Sequence, residues 1–569
     1  MGAGREGLGR EGRLTGKAEP ARAGPRPSWR ERLAAYVRNA ARDDALAAFI
    51  VAILLIPQSL AYALLAGLPP QVGVYASLLP MLAYAALGSS RVSSVGPVAL
   101  IALMTAQAIA GAAAPGLAGG AAPSATDAAL VLAAESGLLL AAAALLRLDA
   151  LASLLSVPVL QGFSTGAALS IALSQLPVLL GNPARGYNAP QVLAAWWHSG
   201  YLGHATTAAF GVGALLLLIA ARRRAAPLLR RWLPPQAAQL AARCAPLAVF
   251  GGAVLLVLAL QRHADGVALV GTLPPMALPI ALPPLDLAPG SPLGWPLWWR
   301  LLPSAALIAL VTFVSSLAVS ESLALQRGET VSPRRELAGL AGANLVAAVS
   351  AGMPVAGSFS RGAINAEAGA RTRMAGVFAA LFMGLAMVWL AAPLALLPKA
   401  VLAASIVLAV LGVAEWSAFA QAWRYARSEF AVMLGVALLT VFSSFEIALG
   451  VGVALSIALL LQRTARPHTA LIGRIPGTEH YRNVGRHQVE QTPGVLVLMS
   501  PVNHIDFSGL EALRALHATL AERGIRLDLS EIKGPVLDAL RAGGWAAWFR
   551  GRVFLSQHQG MLDEQGMAA

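Results

Sequence analysis

The sequence predicts an all-α polytopic membrane protein with fourteen transmembrane segments. They form two sets of seven in inverted repeat, followed by a small cytoplasmic α/β domain. Three observations carry this. Of the 569 residues, 57% are hydrophobic and 12% charged, about half the charged share of a soluble domain. Apolar runs recur along the chain and stop after Arg463. Two breaks rich in Pro, Gly and Ser, at 93–97 and 353–358, each open the third run of a set of seven. Such a composition excludes an ordinary water-soluble enzyme and a disordered chain.

Residues 1–44 are rich in Gly, Arg and Pro and read as a basic, disordered, cytoplasmic tail. No short apolar core with a small-residue cleavage site follows, so a signal peptide is not expected. Crossing about 30 Å of hydrocarbon takes roughly 20 residues. The first seven runs lie at 45–66, 71–88, 97–112, 126–147, 158–181, 203–221 and 245–261. The second seven lie at 302–326, 336–352, 358–369, 374–394, 396–413, 429–443 and 445–462. The runs at 97–112 and 358–369 are too short to cross alone. The repeats therefore occupy 45–262 and 301–463, with an extracytoplasmic loop at 263–300.

Charge orients this plan. The net charge of +14 comes from 39 Arg and only 3 Lys. These Arg residues punctuate apolar runs and do not cluster on one polar domain, so they mark cytoplasmic loops and not nucleic-acid binding. An even number of spans puts both termini in the cytoplasm. The predicted inner loops then hold fifteen Arg, among them Arg222, Arg223, Arg224, Arg334 and Arg335, against Arg185, Arg262, Arg300 and Lys399 outside. The lone Cys244 excludes an intrachain disulfide and a multi-Cys metal site.

Beyond Arg463 the pattern changes. Residues 464–493 read as a polar linker and the start of a new domain, 494–556 as its body and 557–569 as a tail. Strands are expected at 494–498 and 525–529, and helices at 508–523 and 535–541. Leu510, Leu513, Leu516 and Leu520 would line one face of the first helix.

An anion held in mid-bilayer needs fixed donors in place of its water. Half-helix N-termini supply unpaired N–H groups and the positive end of a dipole. Two such ends, after Gly96-Pro97 and after Gly357-Ser358, would form one site. Ser358 and Ser360 add hydroxyls, or cap the helix; Arg361 adds a charge, or pairs structurally. Pro57 breaks the first run, where Gln58 and Tyr62 share a face. They line a cavity or hold helices together. Glu321 lies within 302–326 and is expected to be buried. It would carry a proton, bind Na⁺, or pair with Arg361. Glu135 also lies within a run but has only Ser136 as polar company, so it ranks lower. Glu367 and Glu446 lie near run ends and are expected to be solvated. Neither a catalytic set nor a nucleotide-binding loop stands out.

The segment Ile56-Pro57-Gln58-Ser59-Leu60-Ala61-Tyr62-Ala63, followed by Gly67-Leu68-Pro69-Pro70 and Gly73-Val74-Tyr75-Ala76-Ser77, closely resembles the opening signature of the SulP sulfate permease family. Ser94-Val95-Gly96-Pro97-Val98-Ala99, Gly357-Ser358-Phe359-Ser360-Arg361 and Leu397-Pro398-Lys399-Ala400 resemble later segments of the same family. Asn503-His504-Ile505-Asp506-Phe507-Ser508-Gly509 is similar to the turn of the STAS domain these carriers bear. The resemblance implies a uracil-permease-type fold of core and gate domains, usually dimeric, with an elevator-like motion. It implies a substrate site lined by Gln58, Tyr62, Val98, Ala99, Ser358, Phe359, Ser360 and Arg361, with Glu321 as the cation-coupling acid. Ser508 matches a position phosphorylated in related regulators. Between Leu498 and Asn503 the chain is shorter than the family pattern, which has further strands and a helix there. The STAS domain is therefore expected to be truncated.

The function these readings imply is proton-coupled sulfate uptake across a bacterial inner membrane. No cofactor or metal is expected beyond the coupling H⁺ or Na⁺. The expected partners are a small anion, the lipid bilayer and a second copy of the chain. A bicarbonate or chloride exchanger or a dicarboxylate carrier fits the same scaffold, and a non-transporting sensor or anchor is the rival of another class.

Overall fold

The computed structural model describes residues 28–564 except 113–122, 149–155, 187, 236–237, 239–240, 243, 261–265, 274–279, 285–293, 413, 426, 466–471, 475–480, 484–493, 504 and 506. Its residues fall into two compact units that divide after Leu461.

The first unit is helical. Before the first span comes α1 (Trp29–Asn39), whose N-cap Ser28 and Glu31 form a capping box. This corrects the reading of 1–44 as disordered over its last third; residues 1–27 lie outside the description. Spans one to seven are α2 (Ala41–Leu65), α3 (Pro70–Leu87), α4 (Ala99–Ala112), α5 (Ala125–Leu145), α6 (Val157–Leu180), α8 (Ala205–Leu229) and α9 (Ala245–Leu260), with α7 (Ala189–Ser199) between α6 and α8. Spans eight to fourteen are α10 (Trp295–Leu325), α11 (Pro333–Val349), α12 (Phe359–Glu367), α13 (Met374–Ala395), α14 (Lys399–Leu411), α16 (Arg427–Phe442) and α17 (Phe445–Ala465), with α15 (Trp416–Tyr425) between α14 and α16. Each predicted run thus has its helix. Helices α7 and α15 are too short to cross, so hydropathy alone gave no sign of them; both carry exposed Trp side chains, Trp197 on one and Trp416 and Trp423 on the other. Helix α10 starts at Trp295, seven residues before the predicted span, which shortens the expected loop.

Packing exchanges the two halves. Helix α2 lies on α13 as α10 lies on α5, and α3 meets its counterpart α11 directly. Likewise α6 lies on α16 as α14 lies on α8, while α6 meets its counterpart α14. Two groups result: α2–α5 with α10–α13, and α6, α8 and α9 with α14, α16 and α17. In the second group Gly162 and Gly166 bring α6 onto the backbone of α16. A Cβ on Gly166 would stand 2.6 Å from the Ala437 carbonyl oxygen.

The expected break at Pro57 is absent: α2 runs through it from Ala41 to Leu65. Pro57 is buried, and packed neighbours can accommodate a proline in a spanning helix. The other two breaks are real. Residues 94–96 form strand β1 (Ser94–Gly96) and 356–358 form strand β2 (Ala356–Ser358), paired antiparallel. Backbone of this kind is tolerated at membrane depth because the partner strand satisfies it.

Two buried carboxylates fasten the chain around these breaks. Glu336 accepts from Tyr84 Oη (2.7 Å), Ser89 Oγ (2.6 Å) and the Ser90 amide (2.8 Å). Asp44 accepts from the amides of Arg371 (2.7 Å) and Thr372 (3.0 Å), from Thr372 Oγ1 and from Tyr36 Oη (3.1 Å).

The second unit is α/β. Strands β3 (Ile472–Arg474) and β4 (Tyr481–Asn483) pair antiparallel. Then β5 (Gly494–Leu498), α18 (Phe507–Glu522), β6 (Arg526–Ser530), α19 (Gly534–Ala542), β7 (Val553–Phe554) and α20 (Gln557–Glu564) follow in order. The parallel sheet has the order β5-β6-β7. Met499, Leu510, Leu513, Leu527, Leu529, Val536, Leu540 and Trp545 form its core. Leu516, expected on the buried face of α18, is exposed. Residues 557–564, read as tail, are helical. Ser508 falls in α18, but its side chain lies outside the description.

Candidate anion site

Strands β1 and β2 align Ser94 with Ser358, Val95 with Gly357 and Gly96 with Ala356. One residue past β2, and three past β1, a helix begins. The first N–H groups of α4 and α12 have no partner within their own helix. Ser358 is the N-cap of α12, yet its side chain makes no capping bond. Its Oγ lies 3.3 Å from Ser360 Oγ instead. The hydroxyls are thus not consumed by capping.

Arg361 sits in the first turn of α12 and is 1% exposed. Its Nη1 donates to the Pro97 carbonyl at 2.9 Å. Its Nε and Nη2 have no hydrogen-bond partner. Among the described residues it makes no ion pair, so the expected alternative of a permanent pair with Glu321 is not found. A buried cation with free donors has lost water without replacement, and an anion there would supply what is missing. Gly96 leaves room for it: a Cβ there would lie 3.4 Å from Nη2 and 3.6 Å from Ser77 Oγ.

The other expected residues differ in burial. Tyr62, buried in α2, lies within electrostatic range of Arg361. Gln58, one turn earlier, is half-buried, and its Oε1 is buried without a partner. Val98 and Ala99 are half-buried at the start of α4. The Val98 carbonyl accepts from the Ala102 amide at 2.9 Å. Phe359 is 50% exposed and Ser360 is exposed.

Glu321 departs from expectation: it is exposed. The last turns of α10 present Ala318, Glu321 and Leu325 outward, while Ser316, Ser320 and Leu323 are buried. Run length could not reveal which face a residue three or four positions away would take. Glu446, expected to be solvated, is half-buried and accepts from Ser304 Oγ. Glu367 is exposed, as expected.

Two positioning residues escaped the sequence reading. Asn344 in α11 donates through Nδ2 to the Val355 carbonyl (3.0 Å) and accepts from the Val355 amide (3.0 Å), which fixes the approach to β2. Ser316 Oγ accepts from the Gly357 amide at 2.8 Å. Asn344 was detectable as an amide in an apolar run. Ser316 gave no signal among its neighbouring serines.

Paired half-helices that converge on an unpaired buried guanidinium, inside a bundle of fourteen spans, define a multi-pass membrane carrier for an anion. The sequence pattern of the sulfate permease family matches residues 42–436, and that of the STAS domain residues 479–560. A probable sulfate transporter of Mycobacterium tuberculosis is 33% identical, over 89% of this chain and 92% of its own. The chloroplastic sulfate transporter 4.1 of Arabidopsis thaliana is 30% identical, over 86% of this chain and 74% of its own. The murine Solute Carrier 26 family member A9 anion transporter, in its inward-facing state, has the same fold, with a TM-score of 0.76 over 99% of this chain and all of its own at 19% identity. The transmembrane domain of the cyanobacterial bicarbonate transporter BicA matches 72% of this chain and 96% of its own, with a TM-score of 0.59 at 19% identity. The chain belongs to the sulfate permease family. That family and these relatives are transporters, not enzymes. The STAS match runs through the segment read as shortened.

Proposed function

We propose that this protein is a secondary active carrier that takes up sulfate together with protons. The observation that carries the reading is Arg361, buried with two unpartnered donor nitrogens beside the open starts of α4 and α12. A tetrahedral dianion matches such a donor set, because it offers several acceptor oxygens to amides, hydroxyls and a guanidinium at once. Relatives named as sulfate transporters at 30–33% identity favour sulfate over other oxyanions.

The movement is elevator-like, with the group that holds Arg361 sliding against the other. Polar links between the groups support this: the Phe445 amide donates to Gln107 Oε1 at 3.0 Å, and Ser304 donates to Glu446. Both lie at the ends of α4, α10 and α17 that the charge pattern assigns to the outside. The protein acts as a homodimer in a bacterial inner membrane with both termini in the cytoplasm.

Full-length protein in proteoliposomes tests this. Labelled sulfate should exchange at equal pH and accumulate under an acid-outside gradient. Displacement by bicarbonate, chloride or succinate in preference to sulfate would overturn the substrate, and failure to exchange any of them would overturn the carrier.

A further inference from the structure

Acidic residues in the spanning helices fall into a pattern with one exception. Asp43, Asp44, Asp127, Glu336, Glu429 and Glu446 all lie in the first turn of their helices. Glu367 ends α12, and Glu321 lies one turn from the end of α10. Glu135 alone sits at the middle of its helix, the eleventh residue of the 21 in α5.

Its surroundings are closed. Residues from Val131 to Gly137 are buried without interruption, so α5 has no lipid-facing side at that level. Ser136 Oγ donates to the Ala305 carbonyl of α10 at 3.2 Å, and a Cβ on Gly137 would touch Leu345 of α11 at 2.8 Å. Glu135 is 4% exposed and its Oε2 has no hydrogen-bond partner. The other buried carboxylates of the spanning helices, Asp44 and Glu336, each accept several hydrogen bonds. Glu135 lacks that compensation.

Charged groups on the elements packed against α5 are engaged or exposed. Helix α4 has none. On α10, Arg300 donates to the Gly111 carbonyl at 2.7 Å and Glu321 is exposed. On α11, Arg334 donates to the Ala144 carbonyl at 3.3 Å, Arg335 is exposed and Glu336 holds Tyr84. Among the described residues none forms an ion pair with Glu135. An ionised carboxylate in that place has nothing to replace its lost hydration, so the neutral acid is the form the packing accommodates.

We propose that Glu135, and not Glu321, is the residue that binds the transported proton. The inference rests on the proton-coupled reading above. The proton adds to Oε2 of the carboxylate and leaves the neutral acid; its loss restores one negative charge inside the group of helices that carries Arg361. That charge opposes entry of an anion into the same body, and protonation removes it. Anion and proton therefore favour each other's binding by the same factor.

The test uses full-length protein in proteoliposomes and two readings. Exchange of labelled sulfate at equal pH reports the carrier, and accumulation under an acid-outside gradient reports coupling. Glu135→Gln should keep exchange and lose gradient-driven accumulation, while Glu321→Gln keeps both. Accumulation by Glu135→Gln at the unmodified level, or its loss only in Glu321→Gln, overturns the assignment. Exchange without gradient-driven accumulation in the unmodified protein overturns it too, but leaves the carrier reading standing. If Glu135→Gln elutes as aggregate, Glu135→Asp keeps a carboxyl in place. Its protonated-carboxyl infrared band should then shift from that of the unmodified protein, and an unshifted band overturns the assignment.

Discussion

Arg361 and Pro97 are joined by one hydrogen bond of 2.9 Å across 264 positions of sequence. The donor belongs to the half-helix of the second repeat, and the acceptor precedes the half-helix of the first. A single guanidinium nitrogen thus spans the seam between the repeats, while Nε and Nη2 stay free for a ligand. This division of labour sets the first prediction.

Arg361→Lys keeps a charge but cannot both hold the Pro97 carbonyl and offer a planar pair of donors. Losing charge-assisted hydrogen bonds of about 1.5–3 kcal/mol each should weaken sulfate binding by about 10- to 100-fold. Arg361→Ala should abolish it. Equilibrium binding of labelled sulfate to purified protein measures both; equal affinity in the Lys variant would remove Arg361 from the site.

Asn344 touches no part of the proposed ligand, yet it pairs both backbone groups of Val355. In Asn344→Leu each unpaired buried group costs about 1–3 kcal/mol. The approach to β2 should loosen, and sulfate affinity should fall more than thermal stability. Asn344→Gln, which can re-form the pair only with a shift, should sit between.

Asp44 ties α1 and α2 to the turn after α12. Asp44→Ala leaves the amides of Arg371 and Thr372 without their acceptor, at about 1–3 kcal/mol for each buried donor. The midpoint of thermal unfolding in detergent should drop clearly. Asp44→Asn, which keeps an acceptor oxygen, should drop less.

The phenol of Tyr36 is pushed up to about 12, first by burial and then by the neighbouring Asp44. Its folded form therefore holds the proton more tightly than the unfolded chain, which releases it near the ordinary value of 10.0. The contribution to stability is complete below pH 10 and is lost as pH rises toward about 12. Tyr36→Phe should remove this part of the alkaline slope, read as unfolding midpoints across that range. An identical slope in both proteins would refute it.

Gly166 has its Cβ position 2.6 Å from the Ala437 carbonyl oxygen and 2.8 Å from Thr440 Cβ. Gly166→Ala forces α6 and α16 apart and should destabilise by about 1–3 kcal/mol. The proposed anion site lies in the other helix group, so sulfate affinity should change little.

All fourteen spans and the two non-helical breaks were legible in the sequence, as were β5, β6, α18 and α19 of the second unit; the short strands β3, β4 and β7 and the helix α20 were not. A segment's cost of leaving water is summed over its own residues, so a run of apolar side chains or a cluster of Pro, Gly and Ser declares itself without reference to anything else. The residues of the proposed anion site stand in family motifs that are equally local, since they lie together in short segments.

What tertiary structure alone decided is which way single polar residues point and what meets them there. Pro57 lies in an unbroken helix, buried among packed neighbours. Glu321 turned outward and Glu135 became enclosed because α10 and α5 each rotate to satisfy their partners, and that rotation depends on residues hundreds of positions away. Whether a buried charge is paired, like Asp44, or left open, like Arg361, is likewise a property of the neighbours that arrive on folding. Composition counts the charges; only packing determines which of them lack a partner.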